Sequence, residues 1–488
     1  MVVLAANVAT VAPATDDVRV PLVVDLDETV VRTDLLVEQW LVLLRQRPLA
    51  ALSLLRQLRQ GRAHFKRCLA RIVSLQPGRL PYRSDVLAYL ADQKRRGRRL
   101  ILATGADAIV AEGVARELDL FDHVLASDGV HNLTGDSKRA RLLSEFGEKG
   151  FDYLGDGRNE EGIWRSARST LLAGPTPAVL RRAMRVTSVG RTFEVRRHAF
   201  ESFVRALRLH HWSKNSLILL PLVLLHRQVV PSQIADLAIA LVAFCLCASS
   251  IYLLNDLLDL PFDRAHPQKC ARALASGEIP LTQALALAPI LALIGLALAV
   301  MISVALLAII GTYLVLMTLY SLRLKHEPLL DVLTLAAGYA ARVVAGYVVL
   351  AVTPSPWLVA SCVLFFSSIA LVKRHTELML APSDSAHDLR GRGYLPGDCT
   401  LLASQGVASG YLAVAFLAIF FNAAPSDHPT AAVAVSWVVC LLLFYWISYM
   451  WLMTLRGRMH HDPVVFALTD RVSQAVIVLV VIAGAYLW

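Results

Sequence analysis

Up to about Arg197, the chain lacks any apolar run that approaches the roughly twenty residues needed to cross a bilayer. Charged residues are scattered through this part instead, which is the pattern of a water-soluble domain. From about Trp212 onward the pattern reverses, because long apolar runs alternate with short polar loops. We therefore predict a soluble domain of ordinary size followed by a polytopic, all-α membrane domain.

The sequence also lacks the signals of several other protein classes. Its seven cysteines are scattered, none of their spacings is that of a metal site, and several fall within apolar runs, so we interpret them as small apolar filler. Residues 1–20 contain no basic segment of the kind that opens a secretory signal peptide, and we predict a disordered tail. Because cations in a membrane protein mostly set its topology, the net charge of +10 does not lead us to expect a nucleic-acid partner.

Polar residues come directly after the predicted strands of the soluble part. A short buried strand at 21–24 leads into Asp25 and Asp27, and RRLILATGA is a second strand. Strands that alternate with helical stretches such as AIVAEGVARELDLF predict a parallel, Rossmann-like α/β sheet, whose ligand site lies beyond the carboxyl ends of the strands. Further polar residues at such ends are Thr104, Lys138, Asp156 and Glu160.

Over roughly residues 20–190 this arrangement resembles the haloacid dehalogenase superfamily of phosphatases. DLDET matches the family's DxDxT, ATG its hydroxyl motif, and GDGRNE its acidic loop. The resemblance implies that Asp25 is the nucleophile and Asp27 the general acid and base. It also implies that Thr104 and Lys138 hold phosphate, and that Asp25, Asp27 and Asp156 bind Mg²⁺. A carboxylate can attack phosphorus only where cations neutralise the charge on both reactants, so this set is chemically consistent.

Two positions depart from the family pattern. Glu28 replaces the usual glycine, and Glu160 stands where aspartate is commoner, but neither change removes a catalytic group. Residues 35–95, rich in Leu, Arg and Ala, are predicted to form a helical cap between the first two motifs. The resemblance thus predicts an active phosphatase, and the alternative is a relic domain that stabilises the chain without catalysis.

The membrane part contains nine candidate spans, punctuated by proline and glycine in the loops. They cover approximately residues 213–229, 234–254, 281–300, 304–321, 329–350, 357–379, 404–422, 430–454 and 471–488. Cations collect in the loops on one side, whereas the other side has only Arg227. By the positive-inside rule, we predict a protein of a bacterial-type inner membrane whose N-terminal domain and active site face the cytosol. The predicted domains are a tail at 1–20, a soluble domain at 21–198, a linker and membrane entry at 199–212, and a membrane domain at 213–488.

An acidic stretch, NDLLDLPFDRAHPQK, follows the second candidate span directly. If the helix continues past the span, Asn255, Asp259 and Asp263 share one face, with Asp256 beside them, although Pro261 can bend it. Clustered carboxylates repel one another, and a divalent cation such as Mg²⁺ relieves that repulsion. The cations that follow suit phosphate oxygens: Arg264, Lys269 and Arg272. We therefore predict a pyrophosphate site here, and the alternative is a solvated acidic loop.

Nearly all of residues 203–488 resembles the UbiA superfamily of intramembrane transferases. The matching features are HHWSKN, which contains Lys214, the acidic stretch that begins at Asn255, and YSLRLK. Most prenyl-transferring members carry a second Asp-rich motif on or after the sixth span, where it helps to bind prenyl diphosphate through Mg²⁺. Here that region reads SSIALVKRHTELML, so that Lys373, Arg374 and Glu377 stand in its place.

This departure resembles the branch of polyprenyl-phosphate phosphoribosyltransferases. In that branch the acidic loop binds Mg²⁺ and the pyrophosphate of phosphoribosyl pyrophosphate, while the lipid brings a single phosphate. The resemblance implies that Lys373 and Arg374 attract this phosphate and that Glu377 orients them. It also places four residues near the pocket: Tyr320, Lys325, Asp331 and Arg342. A cation inside a span is a functional candidate by default, and the alternative for Arg342 is a structural ion pair with an acid such as Asp331.

The leading prediction is therefore phosphoribosyl transfer to a polyprenyl phosphate, with Mg²⁺ and the membrane lipid as partners. The N-terminal phosphatase could then remove the 5-phosphate that the product retains. The main alternative is prenyl transfer to an aromatic or other small acceptor, as in 4-hydroxybenzoate polyprenyltransferases. A transporter would spread its polar residues through several spans, and a mere anchor needs no acidic loop, so we favour neither.

Overall fold

The computed structural model describes residues 17–157, 160–193, 199–224, 230–380, 393–423, 429–459 and 463–486. Most of the predicted tail, and the predicted loop cation Arg227, therefore lie outside the described residues. The chain forms two compact units that do not follow its linear order. One comprises Met1–Leu207 with Asn255–Ala286, and the other comprises Arg208–Leu254 with Leu287–Trp488. The acidic stretch thus belongs to the same unit as the soluble half, whereas the sequence predicted consecutive domains.

A six-stranded parallel sheet forms the centre of the first unit. Its strands are β1 (Leu22–Val24), β2 (Leu100–Asp107), β3 (His123–Ser127), β4 (Asp152–Gly155), β5 (Thr170–Ala173) and β6 (Val189–Phe193). Their order is β3-β2-β1-β4-β5-β6, and Val24 of β1 lies opposite Leu102 on one side and Leu154 on the other. This confirms the predicted parallel α/β fold.

Both faces of the sheet are covered at its centre, which is why strand β1 is wholly apolar and buried. Leu22 and Val24 point into one core cluster, while Val23 points into the other. The α-helices of this part are α1 (Leu35–Gln46), α2 (Pro48–Leu54), α3 (Arg62–Ile72), α4 (Ser84–Arg95), α5 (Ala108–Leu118), α6 (Gly135–Phe146), α7 (Glu161–Ser166), α8 (Pro177–Val186) and α9 (Ala199–Leu207), with 3₁₀ helices at Leu55–Gln60 and Pro77–Arg79.

The predicted cap is helical. Its first helix, α1, begins where the side chain of Asp34 accepts a hydrogen bond from the amide of Val37 at 3.1 Å, which satisfies an otherwise unpaired helix N–H. Helices α1, α2 and α3 share a small apolar core that includes Leu43, Leu54 and Phe65. The cap is therefore packed around a core of its own.

The remaining α-helices are mostly long and apolar. They are α10 (Leu220–Leu224), α11 (Pro231–Leu258), α12 (Leu260–Ala265), α13 (Leu281–Ile302), α14 (Val304–Leu322), α15 (Leu330–Val349), α16 (Pro356–Met379), α17 (Cys399–Ala423), α18 (Pro429–Leu455), α19 (Pro463–Thr469) and α20 (Arg471–Tyr486), with 3₁₀ helices at Leu209–Leu219, Lys269–Ala271, Leu324–His326 and Pro396–Asp398. Within the described residues, 7 helices are long and apolar enough to cross a membrane, and they coincide with the second to eighth predicted spans.

The first and last predicted spans differ from expectation, so the count of nine was approximate. The first is a 3₁₀ helix followed by the short helix α10, and residues 225–229 lie outside the described range. Its polar side chains are bonded within the protein, since Trp212 Nε1 donates to Ser249 Oγ at 3.1 Å and Asn215 Nδ2 to Cys245 Sγ at 3.2 Å. The last, α20, has 16 residues within the part of the chain that the structure describes, fewer than the roughly twenty that a span needs.

Small residues on α17 allow close helix packing. Gly406 and Gly410 form a small-xxx-small pair, and a Cβ atom at Gly406 would lie 1.9 Å from Cζ2 of Trp451 on α18. Ser368 Oγ on α16 donates to the carbonyl of Gly406 at 2.7 Å, and Trp451 Nε1 donates to Ser368 Oγ at 3.0 Å. The three helices are therefore joined by both packing and hydrogen bonds.

Candidate active sites

Asp25 lies at the carboxyl end of β1, next to Lys138. The Lys138 ammonium is 3.0 Å from Asp25 Oδ1, and it also donates to the hydroxyl of Tyr153 at 3.2 Å. Burial alone would lower the pKa of Lys138, but the charges of Asp25 and Glu160 outweigh it, and the pKa is raised. Lys138 is thus a fixed cation beside the predicted nucleophile.

Three carboxylates converge next to this pair. Oxygen atoms of Asp25, Asp156 and Glu160 all lie within 4.8 Å of one another. Glu160 accepts hydrogen bonds from the Tyr153 hydroxyl and, at 3.0 Å, from the amide of Gly157. Burial, and then the charge of Asp25, raise the pKa of Glu160 well above its usual value. Crowded oxygen ligands of this kind fit Mg²⁺, whose charge would remove the repulsion between them.

The predicted metal ligands are only partly brought together. The carboxylate of Asp27 lies outside the three-carboxylate cluster and instead accepts a hydrogen bond from the amide of Leu35 at 2.9 Å. Burial, and then the charge of Asp34, raise the pKa of Asp27 well above its usual value. A carboxyl group that keeps its proton suits the predicted role of general acid. Glu160 takes the third place in the cluster.

A cavity of about 250 Å³ opens beside these groups. It is lined by Asp25, Asp27, Asp34, Leu36, Lys66, Gly105, Ala106, Thr134, Gly135, Lys138, Glu160 and Ile163. Thr104, predicted to hold phosphate, is fully buried behind this lining, and its hydroxyl accepts from the amide of Ala106 at 3.0 Å. The backbone that follows Thr104 therefore reaches the cavity, whereas its side chain does not line it.

Lys66, from cap helix α3, is a cavity residue that sequence reasoning missed. Its ammonium donates to the carbonyl of Gly105 at 2.6 Å and to Asn132 Oδ1 at 2.8 Å. Burial lowers its pKa, although the charge of Asp27 opposes this. Lys66 is one of two lysines in the Arg-rich cap sequence, but no motif there relates it to Asp25 or Asp27.

The turn between Asp25 and the cap contains a residue in the left-handed backbone conformation that glycine favours. Glu28 has φ 56°, in the left-handed region, at the position where the resembling family has glycine. A side chain there costs roughly 1–2 kcal/mol. The departure therefore places a side chain in a backbone conformation that favours glycine, in the turn that carries Asp25 and Asp27.

In the acidic loop, which we define as residues 255–272, a helix break replaces the expected continuous face. Helix α11 ends at Leu258 and α12 begins at Leu260, with Asp259 at the junction. Asp256 Oδ1 and Asp263 Oδ2 nevertheless converge on one atom, Arg272 Nη1, at 3.2 and 2.6 Å. Two carboxylates that share one cationic atom mark a position that a divalent cation can occupy.

The third carboxylate of the loop has a different partner. Asp259 Oδ1 lies 3.1 Å from Nη1 of Arg45 on cap helix α1, and its amide donates to the carbonyl of Asn255 at 2.9 Å. Arg264, predicted to bind phosphate, forms an ion pair with Glu38 of the same cap helix. Burial raises the pKa of Asp263 overall, although the charge of Arg272 and, less strongly, that of Lys269 oppose this. Arg45 and Glu38 were not predicted, because no local pattern relates them to the loop.

In the second unit, Arg374 is the centre of a buried polar network. Its guanidinium bonds Asp331 on α15, Glu377 at 2.8 Å one turn further along α16, and the Tyr320 hydroxyl at 3.4 Å. The Tyr394 hydroxyl also donates to Asp331. The structure thus gathers several predicted residues here. Lys373 is half-buried beside Arg374 in the chain, and Lys325 is buried in the 3₁₀ helix Leu324–His326.

Arg342 is buried in α15 with uncharged partners. Its Nε donates to Asn215 Oδ1 at 2.7 Å and its Nη2 to the Tyr313 hydroxyl at 3.2 Å. Its guanidinium also lies 5.0 to 5.4 Å from the ring centres of Tyr313, Phe244 and Tyr339. The suggested ion pair of Arg342 with Asp331 is therefore not the arrangement found. Lys214 is half-buried next to Asn215 in the chain.

Comparisons with known proteins confirm both resemblances. Residues 217–467 match the family model of the UbiA prenyltransferase family, and residues 22–147 match that of haloacid dehalogenase-like hydrolase. The chain is 34% identical over 459 residues to the uncharacterized protein y4nM of Sinorhizobium fredii, covering 94% of this chain and 89% of the relative. It is also 34% identical over 189 residues to the decaprenyl-phosphate phosphoribosyltransferase of Mycolicibacterium smegmatis, covering 38% of this chain and 59% of that protein. A solved UbiA homolog from Archaeoglobus fulgidus bound to DMAPP and Mg²⁺ is 15% identical, with a TM-score of 0.46, over 58% of this chain and 99% of that chain.

Proposed function

Because the chain belongs to the UbiA prenyltransferase family and is an integral membrane enzyme with a hydrolase-like domain, we propose that it transfers a phosphoribosyl group from phosphoribosyl pyrophosphate to a polyprenyl phosphate. The match to a decaprenyl-phosphate phosphoribosyltransferase supports this choice of substrates. The loop cations support an orientation in which the N-terminal domain and the acidic loop face the cytosol.

The Arg374 network is the observation that carries the proposal. Prenyl transfer from a diphosphate is served by a second acidic cluster, but the two carboxylates found here, Asp331 and Glu377, are both bonded to Arg374. The Arg374 side chain is 3% exposed, and breaking a buried pair of this kind costs about 3–5 kcal/mol. These carboxylates are therefore poor metal ligands, which argues against a second metal-bound diphosphate at this position. Lys373, next to Arg374 in the chain, is the cation that would bind a single lipid phosphate.

The acidic loop differs from that network in how tightly its arginine is held. The side chain of Arg272 is 29% exposed, so it can leave Asp256 and Asp263 at a lower cost. These two residues, with Asp259, would hold Mg²⁺, which supplies charge neutralisation for a pyrophosphate leaving group. Arg272 and Lys269 would then pair with the pyrophosphate oxygens.

The proposed transfer needs no protein nucleophile. An oxygen of the lipid phosphate forms a bond to C1 of the ribose as the bond from C1 to the pyrophosphate oxygen breaks, and the electron pair leaves with pyrophosphate. The cations of the acidic loop stabilise the charge that develops on that leaving group. The apolar helices provide the surroundings that a polyprenyl tail requires.

The N-terminal domain would act on the product, which keeps its 5-phosphate. Asp25 would attack that phosphorus to give an aspartyl-phosphate as the bond from phosphorus to the 5-oxygen breaks, Asp27 would protonate that leaving oxygen, and Lys138 would balance the charge. Water, deprotonated by Asp27, would then attack the aspartyl-phosphate, which releases inorganic phosphate and restores Asp25. The cavity of about 250 Å³ is smaller than the roughly 300–1,000 Å³ pockets of drug-sized ligands, which favours a sugar-phosphate head group.

The test offers the purified protein, with Mg²⁺, two substrate pairs. One pair is phosphoribosyl pyrophosphate with polyprenyl phosphate, and the other is a prenyl diphosphate with 4-hydroxybenzoate. We expect a lipid-linked pentose phosphate from the first pair. Turnover of the second pair alone would replace the proposal with prenyl transfer to an aromatic acceptor.

A matched pair of variants locates the activity. Asp259→Asn should abolish transfer and leave hydrolysis of a small phosphomonoester intact. The control is Asp236→Asn, which removes a carboxylate from the opposite end of α11 and should change neither activity. Equal loss in both variants would contradict a role for the acidic loop in transfer.

A further inference from the structure

Cap helix α1 of the hydrolase-like domain contacts the acidic loop through one arginine. Nη1 of Arg45 lies 3.1 Å from Asp259 Oδ1 and 3.4 Å from the carbonyl oxygen of Leu258. The guanidinium also lies 3.9 Å from the centre of the Phe262 ring. These contacts come from both sides of the break between α11 and α12, so Arg45 is fixed at the point where the loop turns.

A second ion pair ties the same helix to the same loop. Glu38, two turns before Arg45, pairs with Arg264, and the two side chains are only 4% and 5% exposed. Glu38 also accepts a hydrogen bond from the hydroxyl of Thr33 at 3.1 Å, while Arg264 Nε donates to the carbonyl of Ala275 at 3.1 Å. Because this pair is buried and each side chain makes a further hydrogen bond, it fixes the face of α1 that carries Glu38 and Arg45 against the acidic loop.

The partner of Arg45, Asp259, indicates whether the contact serves only to dock two segments or also serves metal binding. An arginine that merely docks two domains could bond any surface acid, but this one bonds a carboxylate of the predicted Mg²⁺ site. Metal-binding carboxylates are themselves held by hydrogen bonds from neighbouring residues, and removing such a partner typically weakens metal binding by about 10–100-fold. A carboxylate has two oxygens, so one can accept from a guanidinium while the other faces a metal.

We propose that Arg45 is a positioning residue of the transferase: it orients the Asp259 carboxylate within the Mg²⁺–pyrophosphate site. The inference rests on the proposed function, because it assigns the acidic loop to that site. The hydrolase-like domain then contributes the Arg45 side chain to the transferase site, in addition to its own hydrolase site. Its cap cannot be removed without altering the acidic loop.

Metal binding tests this directly, without substrate. The full-length protein in detergent is titrated with Mn²⁺ by electron paramagnetic resonance, in an Asp156→Ala background that disables the three-carboxylate cluster. We expect Arg45→Ala to raise the Kd for Mn²⁺ at the loop by about tenfold or more. The control, Arg47→Ala, removes the same charge from an exposed position two residues away and should leave the Kd unchanged.

A Kd for Mn²⁺ that does not rise in Arg45→Ala would contradict the proposal. If Arg45 held Asp259 away from the metal, Arg45→Ala would bind Mn²⁺ more tightly than the parent, and a tighter or unchanged Kd overturns the proposal. Arg45→Lys keeps the charge but has a shorter side chain and lacks the planar guanidinium that lies over the Phe262 ring, so we expect an intermediate Kd. Folding is checked with Asp156 intact: if Arg45→Ala in that protein loses phosphomonoester hydrolysis, the alanine variant is misfolded. The lysine variant then decides, and a Kd equal to the parent's overturns the proposal.

Activity separates this proposal from the function on which it rests. In the parent with Asp156 intact, Arg45→Ala should raise the Mg²⁺ concentration for half-maximal transfer, with a smaller change in kcat at saturating Mg²⁺. Absence of transfer with every substrate pair would refute the proposed function. The Mn²⁺ titration would still test whether Arg45 affects metal binding at the acidic loop. A fall in kcat alone, with unchanged Mg²⁺ dependence, would assign Arg45 another role.

Discussion

Glu160 supplies the third carboxylate of the cluster beside Asp25, where the resembling hydrolases more often have aspartate. Its longer side chain reaches that cluster while accepting from the amide of Gly157. We expect Glu160→Gln to keep this hydrogen bond but to lose one negative charge toward the metal. The Mg²⁺ concentration for half-maximal hydrolysis of p-nitrophenyl phosphate should rise at least about tenfold.

The neighbouring residue provides the control for that experiment. Glu161 lies further toward solvent and pairs with Arg165 at 2.8 Å along α7. Glu161→Gln removes the same charge one position away and should leave the Mg²⁺ dependence unchanged. Equal shifts in the two variants would mean that general electrostatics, and not ligation by Glu160, sets the affinity for Mg²⁺.

Lys66 predicts a pH dependence of substrate binding at the hydrolase-like site. Its lowered pKa means that it loses its charge below the usual pKa of 10.5, whereas a phosphomonoester stays dianionic throughout this range. The KM for p-nitrophenyl phosphate should therefore rise with pH already below 10.5, approaching about tenfold once the ammonium is neutral.

Replacement by arginine tests the assignment, because a guanidinium stays charged across that range. Lys66→Arg should give a KM that is nearly flat with pH, even if the KM itself differs from the parent's. A rise in KM that persists in the arginine variant would place the titrating group elsewhere.

At the scale of elements, Gly406 of α17 predicts a packing requirement. A Cβ atom there would lie 1.9 Å from Cζ2 of Trp451, so α17 and α18 would have to separate. We expect Gly406→Ala to lower the free energy of unfolding by about 1–3 kcal/mol, visible as a lower midpoint of thermal unfolding in detergent. Gly311→Ala on α14 is the control, since a Cβ atom there meets nothing within 4 Å. Because alanine has the higher helix propensity, Gly311→Ala should not lower the free energy of unfolding. A Gly406→Ala protein as stable as the parent would contradict the packing requirement.

The elements that sequence predicted are those whose signal is local. An apolar run of span length identifies a membrane helix by itself, and Asp25 and Lys138 follow from strands and short motifs. In the predicted span 213–229, the described residues form a 3₁₀ helix and the short helix α10, which apolar composition alone does not distinguish from one long helix. The bonds of Trp212 and Asn215 to α11 depend on tertiary structure. Pro261 indicated that the helix can bend near Asp259. It did not indicate that Asp259 would then pair with Arg45 while Asp256 and Asp263 pair with Arg272.

The unpredicted part of the sites consists of pairs between distant segments. Arg45 and Asp259 are separated by most of the soluble domain and a membrane helix, and one Arg-rich cap residue looks like another in sequence. The same applies to Asp331, which sequence reasoning considered as a partner of Arg342 and which the structure pairs with Arg374. Composition shows that such charges need partners, and only the fold selects which partner each receives.

At the scale of the whole molecule, two sites on one chain predict an ordered pair of reactions. Transfer would load the lipid with a pentose that still carries phosphate, and hydrolysis would then remove it. Phosphoribosyl pyrophosphate labelled with ³²P at the 5-position reports both steps, because the label passes first into lipid and then into inorganic phosphate.

The variant Asp25→Asn separates the two steps. It lacks the attacking carboxylate, so hydrolysis should fall by at least about 10³-fold while transfer continues, and the label should accumulate in the lipid fraction. In Asp259→Asn, by contrast, the label should enter neither lipid nor inorganic phosphate, although added p-nitrophenyl phosphate is still hydrolysed. Release of labelled phosphate from lipid by Asp25→Asn at the parent's rate would show that the hydrolase-like domain does not act on the transferase product, and its contact with the acidic loop through Arg45 would then be structural support for transfer alone.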